Sequence, residues 1–195
     1  ITAAGLAVTG VTAANKVYDG VTTAILGGSA TITVLGTDAV SLGGVGVGVF
    51  ADKNVGTGKA VTVSGYSISG ADAGNYTLVQ PAGVTANITA ASLAVTGAVA
   101  ANKVYDATTA ASLSGATITP LGTDAVTLVA GTGVFADKNV GTGKAVTISG
   151  YSISGADAGN YTLVQPAGVT ANITAASLAV TGAVAANKVY DATTA

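Results

Sequence analysis

The stretch Tyr66-Ser-Ile-Ser-Gly-Ala-Asp-Ala-Gly-Asn-Tyr-Thr-Leu78 returns unchanged as Tyr151 to Leu163, and it is one part of a longer duplication. Asn15-Lys-Val-Tyr-Asp19 recurs as Asn102 to Asp106 and again as Asn187 to Asp191, at spacings of 87 and then 85 residues. Phe50 to Ala110 matches Phe135 to Ala195 with a single difference, Val63 against Ile148. Copies this close must each find the same core, so the repeat dictates modules before any local propensity is consulted. The expected domains are a first module over 1–89, a second over 90–176, and the opening of a third over 177–195. The two extra residues of the first copy fall at Val21 and within Gly43 to Val49, in loop-like sequence that tolerates insertion.

Within the module, Asp72, Gly74, Tyr76 and Leu78 stand at every second position. This order is similar to the corner between the fifth and sixth strands of immunoglobulin-like sandwiches, where a tyrosine hydroxyl bonds upstream backbone. Leu78 and Leu163 take the inward place that cysteine usually holds there. Strands are predicted at Leu6 to Thr9, Thr31 to Leu35, Ala39 to Leu42, Ala60 to Ser69 with a bend at Gly65, Tyr76 to Gln80, and Val84 to Thr89. The last alternates Val84, Ala86 and Ile88 on one face. Gly43 to Gly48 reads as a loop or bulged strand, because glycine weakens regular pairing. Short strands, frequent turn signals and no helical pattern predict an all-β protein of tandem immunoglobulin-like sandwich modules. A β-solenoid would need a period of about 20 to 30 residues, and no such period is present.

Ile88 to Leu93 holds neither Pro nor a Gly-Ser tract, so the modules are expected to abut as a stiff rod. The strands of the partial third module are expected to pair with the preceding module or with another molecule. A module this size has an expected radius of gyration of roughly 12 Å. With two Phe, seven Tyr and no Trp or Met in the chain, Val, Ile, Leu and Ala must fill most of the core. Phe50 and Phe135 are its expected anchors, Tyr76 and Tyr161 with Asp72 and Asp157 its corner locks, and Tyr18 and Tyr105 packing at a module end.

Every acid is Asp and every base Lys, and the net charge is −2. That balance offers no electrostatic footing for nucleic acid, which is recognised through clustered Lys and Arg, nor for an anionic membrane surface. The most apolar run, Ala39 to Ala51, is broken by four glycines and is too short to span a bilayer. No leader-like segment opens the chain at Ile1, and a sequence that starts and stops in mid-repeat reads as a segment of something longer. The absence of Cys removes disulfides and thiolate metal sites.

Val55-Gly-Thr-Gly-Lys59 lacks both the upstream glycine and the Ser or Thr that a phosphate loop requires, and a strand follows it. Without His or Glu, acid–base chemistry would fall to Asp19, Asp38, Asp52 and Asp72 and their copies, all in turn-like sequence where aspartate bonds local backbone. No catalytic residue, cofactor or metal is therefore expected, although calcium could bind if distant aspartate loops converge. Asn15, Lys16 and Asp19 with Asp52, Lys53 and Asn54 could form an isopeptide cross-link if a buried lysine had a lowered pKa. The plainer reading is two solvated turns whose charges offset. Asn75, Asn87, Asn160 and Asn172 open Asn-x-Thr glycosylation patterns.

Asn-Lys-Val-Tyr-Asp-Gly, then Phe-Ala-Asp-Lys-Asn-Val-Gly-Thr-Gly-Lys, then Gly-Ala-Asp-Ala-Gly-Asn-Tyr-Thr-Leu together resemble the YDG-type repeat modules of large, filamentous-haemagglutinin-like bacterial surface adhesins. The departure is Ala107 where the first copy has Gly20. The resemblance implies sandwich modules repeated as a spacer in a secreted cell-surface or biofilm-matrix adhesin, partnered by neighbouring repeats, with no catalytic residues to carry over. Two alternatives stand beside it. One is self-assembly with identical chains through exposed edge strands. The other is weak multivalent binding of glycan or protein, for which Tyr66 and Tyr151 are the candidate contacts.

Overall fold

The computed structural model describes residues 1–194. In the first module the chain forms β1 (Ala4–Ala7), β2 (Thr9–Ala13), β3 (Lys16–Val17), β4 (Thr23–Ala24), β5 (Leu26–Thr31), β6 (Ser41–Phe50), β7 (Gly56–Ser69), β8 (Tyr76–Val79) and β9 (Thr85–Thr89). A single 3-10 turn, Ala73–Asn75, precedes β8. The main sheet runs β3-β9-β7-β6-β4. Its two edges, β3 and β4, are joined by residues 18–22 alone, so the sheet must curl until they meet. The Lys16 ammonium closes the gap by donating to the carbonyls of Val21 and Thr23 at 2.7 and 3.0 Å. β2 pairs antiparallel with β5, and their Val11, Ala13 and Leu26 pack against the core. β1 and β3 pair parallel with β8 and β9.

Alternation decides which side chains go inside. Val61 and Val63 of β7, and Ala86 and Ile88 of β9 with Val84 just before it, are buried beneath Phe50. Their intervening neighbours face outward, as period-two pleating requires. The architecture is all-β, and no helix of the described residues is long and apolar enough to cross a membrane.

The second module repeats the plan with β10 (Ala91–Ala94), β11 (Val99–Ala100), β12 (Lys103–Val104), β13 (Ala110–Ala111), β14 (Leu113–Ser114), β15 (Thr127–Val129), β16 (Thr132–Phe135), β17 (Gly141–Ser149), β18 (Ser152–Ser154), β19 (Tyr161–Val164) and β20 (Thr170–Thr174). Its main sheet, β12-β20-β17-β16-β13, has the same order. The one-residue difference between Leu42–Phe50 and Leu128–Phe135 explains why β6 is whole and its counterpart is split. The first module absorbs its extra residue as a bulge between Gly44 and Val47. The second interrupts the strand at residues 130–131.

Of the two readings of Gly43 to Gly48, loop or bulged strand, the structure shows the bulged strand. Two expectations are corrected. Thr31 to Leu35 is not a strand beyond Thr31, because the Leu35 N–H is taken by the Tyr76 hydroxyl at 2.9 Å instead of a ladder partner. Residues 175–194 are exposed and form no strand, so the third-module segment does not pair with the preceding module. The same sequence at 91–104 pairs with β19, β14 and β20, all later strands of its own module. Residues 176–194 have no corresponding later strands in this sequence. Ala195 lies outside the described residues.

Candidate functional site: the joint between modules

Side chains of both modules meet in one polar network where the modules abut. From the first module come Tyr18, on the turn after β3, and Lys53, Asn54 and Val55, on the turn between β6 and β7. From the second come Asp124, on the loop before β15, with Asp157, Asn160 and Tyr161 at the 3-10 turn that opens β19.

Asp124 is the centre. Its Oδ2 accepts the hydroxyls of both Tyr18 and Tyr161 at 2.6 Å, and its Oδ1 accepts the Lys53 ammonium at 2.5 Å. Asp157 Oδ1 stands 3.3 Å from the same ammonium. Beside it, Asn160 Oδ1 accepts the Val55 N–H at 2.9 Å and its Nδ2 donates to Asn54 Oδ1 at 3.1 Å. The Tyr18 and Tyr161 rings meet edge to face, 5.4 Å between centroids and 76° apart. Lys53 also lies 5.8 Å from the centre of the Tyr18 ring.

Burial makes these contacts count. Tyr18 is 2 % exposed and Asn160 4 %. The Asp124 side chain is 4 % exposed, against 34 % for Lys53. The first module's core continues without a break through Tyr18, Ala91 and Leu93 to Tyr161. Burial alone would raise the Asp124 pKa, but the hydrogen bonds from Lys53, Tyr161 and Tyr18 outweigh it and hold it at about 2. Burial first, and then the bond to Asp124, pushes Tyr161 up to about 12 and Tyr18 up as well. The bonds to Asp124 and Tyr18 raise the Lys53 pKa, so it is a firmly protonated ammonium.

These contacts fasten one module to the other. The Lys53 pKa is raised, whereas the cross-link reading needs a lysine with a lowered one. The two turns grouped with it are also separate. Lys16 pairs with Asp19 at 2.7 Å and Lys59 with Asp52 at 2.7 Å, while Asn15 Oδ1 accepts the Asn87 N–H at 2.7 Å. Distant aspartates do converge at Asp124 and Asp157, but the ammonium of Lys53 occupies the place a cation would take. Among the described residues no group of three or more His, Cys, Asp or Glu could hold a metal ion.

The other singled-out residues fall as follows. Phe50 and Phe135 are each 2 % exposed in their cores, with Lys16 and Lys103 ammoniums 5.4 and 5.5 Å from the ring centres. Tyr76 accepts the Leu35 N–H and donates to Asp38 at 2.7 Å, while Asp72 accepts the Ala39 N–H at 2.8 Å. Tyr161 and Asp157 repeat those contacts with Leu121, Asp124 and Ala125. Tyr105 is half-buried at the far end of the second module. Tyr66 and Tyr151 are not the exposed rings that ligand contact would need. Tyr151 is buried, Tyr66 is half-buried against the core, and Gln165 and Gln80 bond their backbones. Asn160 is sequestered in the joint, which takes it out of reach of glycosylation.

Sequence reading missed Asp124 and the roles of Lys53 and Asn160. Their partners are 71 and 105 or 106 residues away, and no local pattern marks such a pair. Asp52 stands beside Lys53 in the sequence, and only the fold shows that it pairs with Lys59 and leaves Lys53 to Asp124.

Fold and site together define an all-β tandem-repeat protein whose successive modules are fastened by side chains of both. The chain belongs to the YDG domain family, whose profile matches residues 2–86 and again residues 89–171. No curated protein and no solved structure matches the chain.

Proposed function

We propose that these modules are structural: a stalk of a secreted bacterial surface or biofilm-matrix adhesin, without catalysis, holding a distal binding part away from the cell. The observation that carries this reading is the buried joint. A flexible array would need no Lys53–Asp124 pair and no shared core, whereas a spacer that transmits position needs each module fixed on the last. Near-identical copying supports the same reading, since it adds length without adding a new site. A nucleic-acid role has no support in the charges. The chain has no Arg, its net charge is −2, and Lys16, Lys53, Lys59, Lys103, Lys144 and Lys188 are each within salt-bridge distance of an aspartate.

Small-angle scattering of the wild-type chain and of Lys53→Ala tests the reading. The wild type is expected to fit one fixed arrangement of the modules, unchanged by chelator. Lys53→Ala should require a spread of arrangements while each module keeps its far-ultraviolet spectrum. A wild-type profile that itself demands several arrangements would sink the spacer reading.

A further inference from the structure

We infer that each module is built to bear tension along the chain, through two pairs of parallel strands that a pull loads in shear. Strand polarity carries the inference. β7 starts at Gly56, next to the joint residue Val55, and runs away from the joint to Ser69. The chain turns there, and β8 begins at Tyr76 with β1 beside it, Ala4 opposite Tyr76. It then comes back along β7: Gln80 bonds the Tyr66 backbone, Thr85 of β9 faces Ala60, and Ile88 faces Gly56. The module is therefore entered at one pole and left at the other, and β1, β8, β9 and β3 all point from entry to exit.

A pull on the chain at both poles drags β1 along β8 and β9 along β3. The ladder bonds of such a pair lie across the pull and lengthen together, whereas strands pried apart from one end release their bonds one at a time. The outer clamp is four residue pairs, Ala4 to Ala7 against Tyr76 to Val79, continued by the Val8 N–H donating to the Val79 carbonyl at 2.9 Å. The inner clamp has only two pairs, and side chains extend it. The Tyr18 N–H donates to the Thr89 carbonyl at 2.8 Å, the Thr89 hydroxyl to the Lys16 carbonyl at 3.3 Å, and the Asn87 N–H to Asn15 Oδ1 at 2.7 Å. The second module repeats both clamps. Ala91 to Ala94 pair with Tyr161 to Val164, and the Tyr105 N–H, the Thr174 hydroxyl and the Asn172 N–H make the inner bonds at 2.8, 3.3 and 2.7 Å.

Ala90 alone separates β9 from β10. Tension leaving the inner clamp of the first module therefore enters the outer clamp of the second with no slack between them. The clamps also act in sequence within a module, since β3 and β9 take the load only once β1 has left β8. The inference rests on strand polarity and not on the spacer reading.

Single-molecule force spectroscopy of the full chain, pulled along two directions, tests it. The chain has no Cys, so handles attach only at introduced ones. Thr2→Cys with Ala175→Cys loads both modules from pole to pole. Thr2→Cys with Gly74→Cys pries β1 from β8 at their shared end, and a Cβ at Gly74 meets no atom within 4 Å. Rupture under load is set by the unfolding barrier, so the pole-to-pole pull should give two abrupt events, each lengthening the chain by about 250 Å, the extended length of a module less its folded span. The first of them should need a force several-fold above that of the first event in the prying direction. A pole-to-pole force equal to or below the prying force overturns the inference, and so does gradual lengthening without abrupt events. Neither result alters the scattering of the unloaded chain or of Lys53→Ala, so the spacer reading stands or falls separately.

Discussion

At Ala107 the second module does with a side chain what the first does with none. Gly20 sits at φ +80° in the turn after Tyr18, and Ala107 takes the same turn at φ +64°. The turn is held by the Lys–Asp pair around it. Lys103 bonds Asp106 at 2.8 Å, and that bond, with those from Thr108, holds the Asp106 carboxyl at about 2. Left-handed backbone costs a residue with a Cβ about 1 kcal/mol, partly offset because alanine has less unfolded freedom to lose. Ala107→Gly is expected to stabilise the second module by about 0.5 kcal/mol, read as a rise in its thermal midpoint, with Gly20→Ala shifting the first module the other way. The departure from the family pattern was legible in the sequence; its backbone cost was not, since alanine rarely takes positive φ and a helix or strand neighbour would have been the default reading. Tyr161 shows the opposite limit. Its place in Asp-x-Gly-x-Tyr marks a corner, but its acceptor Asp124 and donor Leu121 lie on a loop 37 and 40 residues earlier. Tyr161→Phe leaves the Leu121 N–H unpaired and removes one of the two hydroxyls that the buried Asp124 Oδ2 accepts. It should cost about 1–3 kcal/mol in denaturant unfolding, and more than Tyr76→Phe, whose Asp38 has no Lys53 counterpart beside it.

Strands were readable wherever one face is buried and the other is not. Val84, Ala86 and Ile88 alternate cleanly because β9 lies in the interior of the sheet over Phe50, so period two survives in the letters. β6 was obscured because glycine serves there as the inward residue. A Cβ at Gly46 would lie 2.6 Å from the Tyr66 hydroxyl, and one at Gly48 2.6 Å from Leu26 Cδ2. Those glycines make room for large side chains from neighbouring strands, a tertiary reason that no local pattern carries. The short strands β3 and β4 were equally hidden, since two residues each show no period, and curling of the sheet creates them. Phe50 holds this arrangement together from within. Phe50→Ala should cost about 3–5 kcal/mol, and because the first core runs on to Tyr161, its unfolding should expose Tyr161 to quencher as well. A variant in which the first module melts while Tyr161 stays protected would show that the cores are separate.

The joint gives the whole molecule a pH window. Its two halves are identical in both modules, so the sequence could show the parts but not that they mate across copies. Folded Asp124 ionises at about 2, against 3.8 for an ordinary aspartate, so the opened state binds its proton more readily. The pair's contribution is complete above about pH 4 and is lost as pH falls toward 2. At the alkaline end Tyr161 is held at about 12 against 10.0, and Tyr18 is raised too. Their neutral hydroxyls fasten Asp124 fully below about pH 10, and that contribution is lost as pH rises through 12. The modules should therefore hold one arrangement between these limits and separate at both, with their cores intact at the first loss. Scattering across pH would follow the opening, and far-ultraviolet dichroism would report the cores. Tyr18→Phe discriminates the cause: without that hydroxyl the Asp124 pKa rises while the Lys53 pair still holds the joint, so the acid opening should move to higher pH. An acid opening at the same pH in both proteins would assign it to other carboxylates and remove Asp124 from the centre of the joint.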